Sequence, residues 1–244
     1  MTVPNAASKL DAVHDLAVQF AGQLQDRQPG DEQLLPVLPA LTPLLPAGGL
    51  VKGSVTAIGR YGLLCSALMA GASAGGAWCA VAGIPEFGVA AAAAAGVEPD
   101  RLLLVPDPGE RWVQAAAALL DGCEIVVIRP PAPPASRARR QLEAGLRRTA
   151  AVLLVAGAWD GAAVRLQVTR QHWAGLGNGH GRLRACRAEV VAEGRAAAAQ
   201  PRRQWLWLPA PDGTIAEADP GESLPGLPGN GTTRERPEPL SLTR

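Results

Sequence analysis

A chain of 244 residues, 48% hydrophobic and carrying a net charge of +1, is long enough for one domain with appendages and apolar enough to bury a core. It holds no charge-free apolar run of about eighteen residues, so no helical membrane span is expected, and a charge so close to zero supplies no global attraction to nucleic acid. Four scattered cysteines with no C-x-x-C pair read as buried, reduced thiols of a cytoplasmic protein; His172, His180 and Cys186 match no zinc spacing, and no cofactor is expected.

Residues 8–25 place Leu10, Val13, Leu16, Ala17, Phe20 and Leu24 at helical spacing behind Ser8, a fitting N-cap. The spacing predicts an amphipathic helix with Leu16 and Phe20 on one face, packed on the core or on a partner. Residues 29–46 are punctuated by prolines and read as a linker. The expected organisation is therefore a helix and linker over 1–46, one α/β domain over 47–208, and a disordered tail over 209–244, which is rich in Pro, Gly, Ser and Thr.

Inside the domain, strands are expected at 54–58, 77–82, 101–105, 124–128, 151–155, 164–169 and 184–192. Helices are expected at 63–72, 86–95, 112–120 and 136–149. The first five strands are short apolar runs that alternate with helices, the pattern of a parallel sheet covered on both faces. The last two lack a helix between them and read as an antiparallel extension, with residues 205–208 as a further edge strand. Val55-Thr56-Ala57-Ile58, then Gly59-Arg60-Tyr61-Gly62, then the run from Leu63 reproduce the strand, glycine turn and helix that a phosphate-binding loop needs. The glycines are too close together for that loop, and Leu63 stands where its lysine belongs. The same two glycines also suit a plain tight turn.

The candidate interface residues are of three kinds. Arg137, Arg139, Arg140, Arg147 and Arg148 line one helix, either as a basic patch or as a solvated face. Arg182, Arg184 and Arg187 are expected to share a strand face, and Trp173 is expected in the loop 170–182. Trp205 and Trp207 share one face of their strand and Leu206 and Leu208 the other, so one pair is exposed unless something covers it.

Several segments together resemble the RecA family, and more closely its degenerate relatives, the ImuA proteins of damage-induced mutagenesis in their short ImuA′ form. These are Gly48-Gly49-Leu50-Val51-Lys52-Gly53-Ser54-Val55, the run from Ala95 through Gly96-Val97 to Leu102-Leu103, Asp121 to Arg129, and Val164-Arg165-Leu166-Gln167-Val168. The resemblance spans about residues 47–193 and implies a RecA-like sheet flanked by helices, the N-terminal helix and the disordered tail lying outside it. It also implies that four chemical positions are lost. Leu63 replaces the phosphate-binding lysine, Arg129 the metal-holding aspartate, Ile84 the catalytic glutamate and Ala158 the glutamine that senses the γ-phosphate. Segments 128–151 and 159–164 are too short for the family's DNA-binding loops. The implied function is non-catalytic: a cytoplasmic accessory protein of translesion synthesis, brought to the nucleoid by its partners. Those partners would be ImuB, an inactive Y-family polymerase-like protein, and an error-prone C-family polymerase. RecA, a second copy of the chain and weak DNA contact are further implied candidates, and no membrane is. The alternative is a SulA-like inhibitor that binds the division GTPase.

Overall fold

Four runs in which every side chain is buried form the centre of the sheet: β3 (Val55–Ile58), β4 (Cys79–Ala82), β6 (Ile125–Ile128) and β7 (Val152–Ala156). Continuous apolar runs of this kind suit strands covered on both faces, because neither face meets water. The computed structural model describes residues 33–59, 62–176, 181–195 and 199–221. In it, β5 (Leu102–Val105), β8 (Val164–Leu176), β9 (Gly181–Gly194), β10 (Arg202–Trp207) and β11 (Ala216–Glu217) complete a nine-stranded sheet of order β11-β10-β9-β8-β3-β7-β6-β4-β5. From β8 through β3 to β5 every pairing is parallel; from β8 to β11 every pairing is antiparallel. The expected α/β architecture, a parallel core with an antiparallel extension, is therefore what the chain adopts.

One face carries helix α1 (Gly62–Ala74) and the short α2 (Val89–Ala94). Helix α1 has almost no polar side, and its residues Leu64 to Ala70 are all buried, as befits a helix sunk in a core. The other face carries α3 (Trp112–Gly122) and α4 (Ser136–Thr149). Helix α4 is amphipathic and buries only Leu142 and Leu146. It ends at Ala150, which has the left-handed φ of 56° that a glycine would adopt more readily.

Two expectations need correction. From residue 33 onward, the segment read as a linker belongs to the core. Strand β1 (Leu34–Leu35) pairs with β2 (Leu50–Val51), and a 3-10 turn at Pro39–Leu44 buries Leu41, Leu44 and Leu45. Pro36, Pro39 and Pro43 stay exposed and restrict the backbone, while the leucines among them turn inward. The segment lies so close to α1 that a Cβ at Gly71 would sit 2.5 Å from the Val37 carbonyl carbon.

The second correction concerns the tail. Residues 209–221 are ordered: β11 pairs with β10, Cys186 N–H donates to Pro209 O at 2.8 Å, and Ala218 N–H donates to Trp205 O at 2.9 Å. Their turn-forming composition belongs to a hairpin, in which Asp212 Oδ1 accepts from both the N–H and the hydroxyl of Thr214. The remainder of the tail, 222–244, and the expected helix with Leu16 and Phe20 lie outside the described residues. Among the described residues no helix is long and apolar enough to cross a membrane.

Candidate functional site

The C-terminal ends of parallel strands in an open α/β sheet are where ligands ordinarily bind, and a cleft of about 640 Å³ opens there. Gly62, Leu63 and Ser66 of α1 line one side, and Ile84 and Glu86 the loop after β4. Arg129 lines it at the end of β6, and Trp173 and Pro209 line it from the antiparallel extension. The structure thus brings together Leu63, Ile84 and Arg129, three of the four residues that the sequence singled out. Ala158 is exposed beyond the end of β7 and does not line the cleft.

The turn at the head of α1 leaves its glycines with different settings. Gly59 N–H donates to Leu166 O at 2.8 Å, tying the end of β3 to β8. A Cβ at Gly62 would meet nothing within 4 Å. Residues 60 and 61 between them lie outside the described residues. Leu63 is half-buried against the core, and the Ser66 hydroxyl turns back toward Gly62 O, 3.5 Å away.

Arg129 dominates the electrostatics. Its Nε donates to Gly83 O at 2.9 Å. The two ends of its guanidinium grip the Glu86 carboxylate, Nη2 to Oε2 at 2.8 Å and Nη1 to Oε1. Gly83 makes the approach possible, having a φ of +73° and lying where a Cβ would be 2.6 Å from Arg129 O. The paired donors hold the Glu86 carboxyl down to about 2, against an ordinary value of 4.5, and Glu86 in turn raises the guanidinium. Cys65 also lines the cleft, and burial pushes its thiol up to about 12. The cleft therefore presents a cation already neutralised from within, a thiol held protonated, and apolar walls. An incoming phosphate would have to displace Glu86 before Arg129 could receive it. Among the described residues no group of three His, Cys, Asp or Glu comes together to hold a metal ion.

The candidate interface residues lie elsewhere. Arg137, Arg140 and Arg147 are exposed along α4. Arg139 pairs with Asp160 at 2.7 Å and Arg148 with Asp121 at 2.6 Å; such surface pairs are worth at most about 1 kcal/mol. Trp173 is within β8 rather than in a loop, and its side chain packs toward the cleft and the α1 side of the core. Arg187 lies on the face of Trp205, and Arg184 falls within the irregularity between Ala185 and Gly181, so the expected alternation is not kept; the Arg182 side chain lies outside the described set. Trp205 and Trp207 do share a face, opposite the core residues Leu206 and Leu208, but that face is covered. Trp207 is buried in a small cluster with Ala174, Ala185, Ala210 and Ala218, while Trp205 stacks on His172.

The first part of this chain has known relatives in sequence. Residues 43–161 match the MT3502 N-terminal domain family. The matched span runs from the 3-10 turn through β7 and contains Leu63, Ile84, Glu86 and Arg129. The chain is also 36% identical over 127 residues to the uncharacterized protein Rv3395c of Mycobacterium tuberculosis, an alignment that spans 50% of this chain and 62% of that protein.

Proposed function

We propose that this protein is a non-catalytic accessory factor of damage-induced translesion synthesis, of the ImuA′ kind. It would work by assembly with an ImuB-like inactive Y-family polymerase and an error-prone C-family polymerase. The class comes from the sequence resemblance. The observation that carries the non-catalytic part is the Arg129–Glu86 fork across the cleft, flanked by Leu63 and Ile84. Phosphoryl transfer depends on cations that receive phosphate and on a residue that orients the nucleophile. Here the cation is occupied and the neighbouring positions are aliphatic. The protein would then use the fold as a scaffold whose outer surfaces engage partners.

The test is affinity purification of the tagged chain from DNA-damaged cells, with identification of what co-purifies. Recovery of the polymerase-like protein and the C-family polymerase supports the reading. Recovery of the division GTPase in their place would favour the SulA-like alternative. Isothermal titration with Mg-ATP should be flat; a micromolar isotherm would remove the non-catalytic part.

A further inference from the structure

The two edges of the sheet are built differently. At one edge, β11 has only two residues and ends on Glu217, and β10 beside it begins Arg202-Arg203-Gln204. Short strands and charged residues are the usual protection of an edge, which otherwise offers its unpaired N–H and C=O groups to another chain. At the other edge stands β5, Leu102-Leu103-Leu104-Val105, with no charge, proline or bulge within it. Among the described residues it pairs with β4 alone.

The backbone of β5 shows which groups are on offer. Gly83 N–H donates to Val105 O at 3.0 Å, so the Val105 backbone faces β4. Successive residues of a strand present these groups to opposite sides. Leu103 therefore also faces β4, while Leu102 and Leu104 face outward. Leu102 N–H is taken by Pro99 O, but Leu104 keeps both its N–H and its C=O directed at the edge. Leu104 is also 42% exposed, and its side chain stands with that of Leu102 on the α1/α2 side. Leu103 and Val105 are half-buried on the α3/α4 side. The neighbouring helix does not oppose approach: α2, from which the chain runs into β5, has no charged side chain, and its Ala90 and Ala93 are exposed. The charges at the two ends of β5 are opposite. Arg101 precedes it on the α3/α4 side, with its guanidinium 5.8 Å from the Trp78 centroid, and the exposed Asp107 follows it.

We infer that β5 pairs with β5 of a second copy of this chain, antiparallel about a twofold axis at Leu104, so that two nine-stranded sheets become one. A contact between identical edges that closes on itself requires that symmetry. The N–H and C=O of Leu104 then exchange hydrogen bonds with those of the second Leu104, and the two leucine side chains meet on the α1/α2 side. Leu103 of each copy lies opposite Val105 of the other, and the Arg101 end of each strand comes beside the Asp107 end of the other. A strand from a different protein would use the same backbone groups, but the match of apolar to apolar and basic to acidic is one that this strand makes with itself. The contact is small for a complex, so affinity in the micromolar range is expected. The inference does not depend on the assembly reading. The dimer closes at two copies and leaves the antiparallel half of each sheet at its outer ends.

The test is sedimentation equilibrium with the full chain, from low to high micromolar concentration. A reversible rise from one copy to two, with no larger species, is expected. Leu104→Lys sets two like charges face to face across the axis and should weaken dimerisation about tenfold. Because Leu104 is at the surface, the variant's thermal melt at low concentration should match that of the parent. Arg101→Glu and Asp107→Lys should each weaken the dimer, and the two together should restore it, a pattern that a merely structural role of either residue would not give. If Arg101→Glu does not fold, the Leu104→Cys variant carries the test. The four native cysteines are buried, so a short bismaleimide should link that variant in pairs and leave the parent unlinked. A parent that stays monomeric at high concentration, growth beyond two copies, or a dimer indifferent to Leu104→Lys would each overturn the inference.

Discussion

Gly71→Ala should destabilise the protein even though it improves the helix. In α1 the change gains about 1 kcal/mol of helix propensity. The new Cβ, however, would lie 2.5 Å from the Val37 carbonyl carbon, 2.7 Å from its Cα and 2.8 Å from its oxygen. Ordinary carbon contacts are about 3.5–4.0 Å, so helix and segment must part by about 1 Å. All three obstacles are backbone, with no flexible side-chain end to swing aside. Parting them strains a segment anchored by Leu41, Leu44 and Leu45, each at most 2% exposed. Overpacking of this kind costs about 1–3 kcal/mol. Releasing the segment altogether would forfeit about 1.5–3 kcal/mol for each leucine, so the fold should accept the strain. With three backbone atoms in the way the upper part of that range, about 2–3 kcal/mol, applies; less the propensity gain of about 1 kcal/mol, the net expectation is a loss of about 1–2 kcal/mol, read as a lowered urea midpoint at unchanged m. Gly62→Ala, at the first turn of the same helix with open space around its Cβ, is the matched control and should shift stability by less than about 0.5 kcal/mol. A Gly71→Ala protein as stable as the parent or more so would refute the reasoning and return residues 33–46 to the status of a linker.

Ala150→Gly should stabilise by about 1 kcal/mol, because the left-handed conformation at φ 56° is strained for alanine; an unchanged or lower melting temperature would contradict this. The Glu86 carboxyl is held to about 2 in the folded state, below its ordinary 4.5, so the stabilisation it provides is complete above the ordinary value and is lost as pH falls toward 2. Side-chain NMR should follow that titration, and Arg129→Gln should return it to the usual carboxylate range; a Glu86 that titrates normally in the parent would mean that the fork does not form in solution. The thiols of Cys65 and Cys79 are buried and pushed up to about 12, and Cys123 is buried with them, so a disulfide reagent at pH 8 should modify none of the three until denaturant is added. Rapid reaction of the native protein would show the core to be more open than described.

The central strands were legible because a strand buried on both faces must be apolar at every position, and the runs at β6 and β7 are. Helix α4 was legible to the residue, because Leu142 and Leu146 recur at helical spacing within an otherwise polar stretch. The N-terminal segment was not, since its prolines mark a linker in sequence, whereas in the structure they stay at the surface while Leu41, Leu44 and Leu45 among them fill the core. Nor was the hairpin at 209–221, whose turn residues have the composition of disorder. Within the cleft, sequence singled out Leu63, Ile84 and Arg129 but missed Glu86, because a pairing across 43 positions leaves no periodic trace. On β8, the register shift after Val168 breaks the alternation by which faces are counted, so Trp173 and the arginines could not be assigned to faces from spacing alone.

Strand β3 lies between β7 and β8, and this placement governs how the protein comes into being on the ribosome. Val55 pairs with Leu153 and Thr56 with Val164, so both neighbours of β3 emerge roughly 100 residues after it, which at translation rates of about 5–20 residues per second is a wait of about 5–20 s. Throughout that interval β3 has neither of its partner strands to pair with. The sheet is therefore joined across β3 only when the second half of the chain arrives to close around its first central strand.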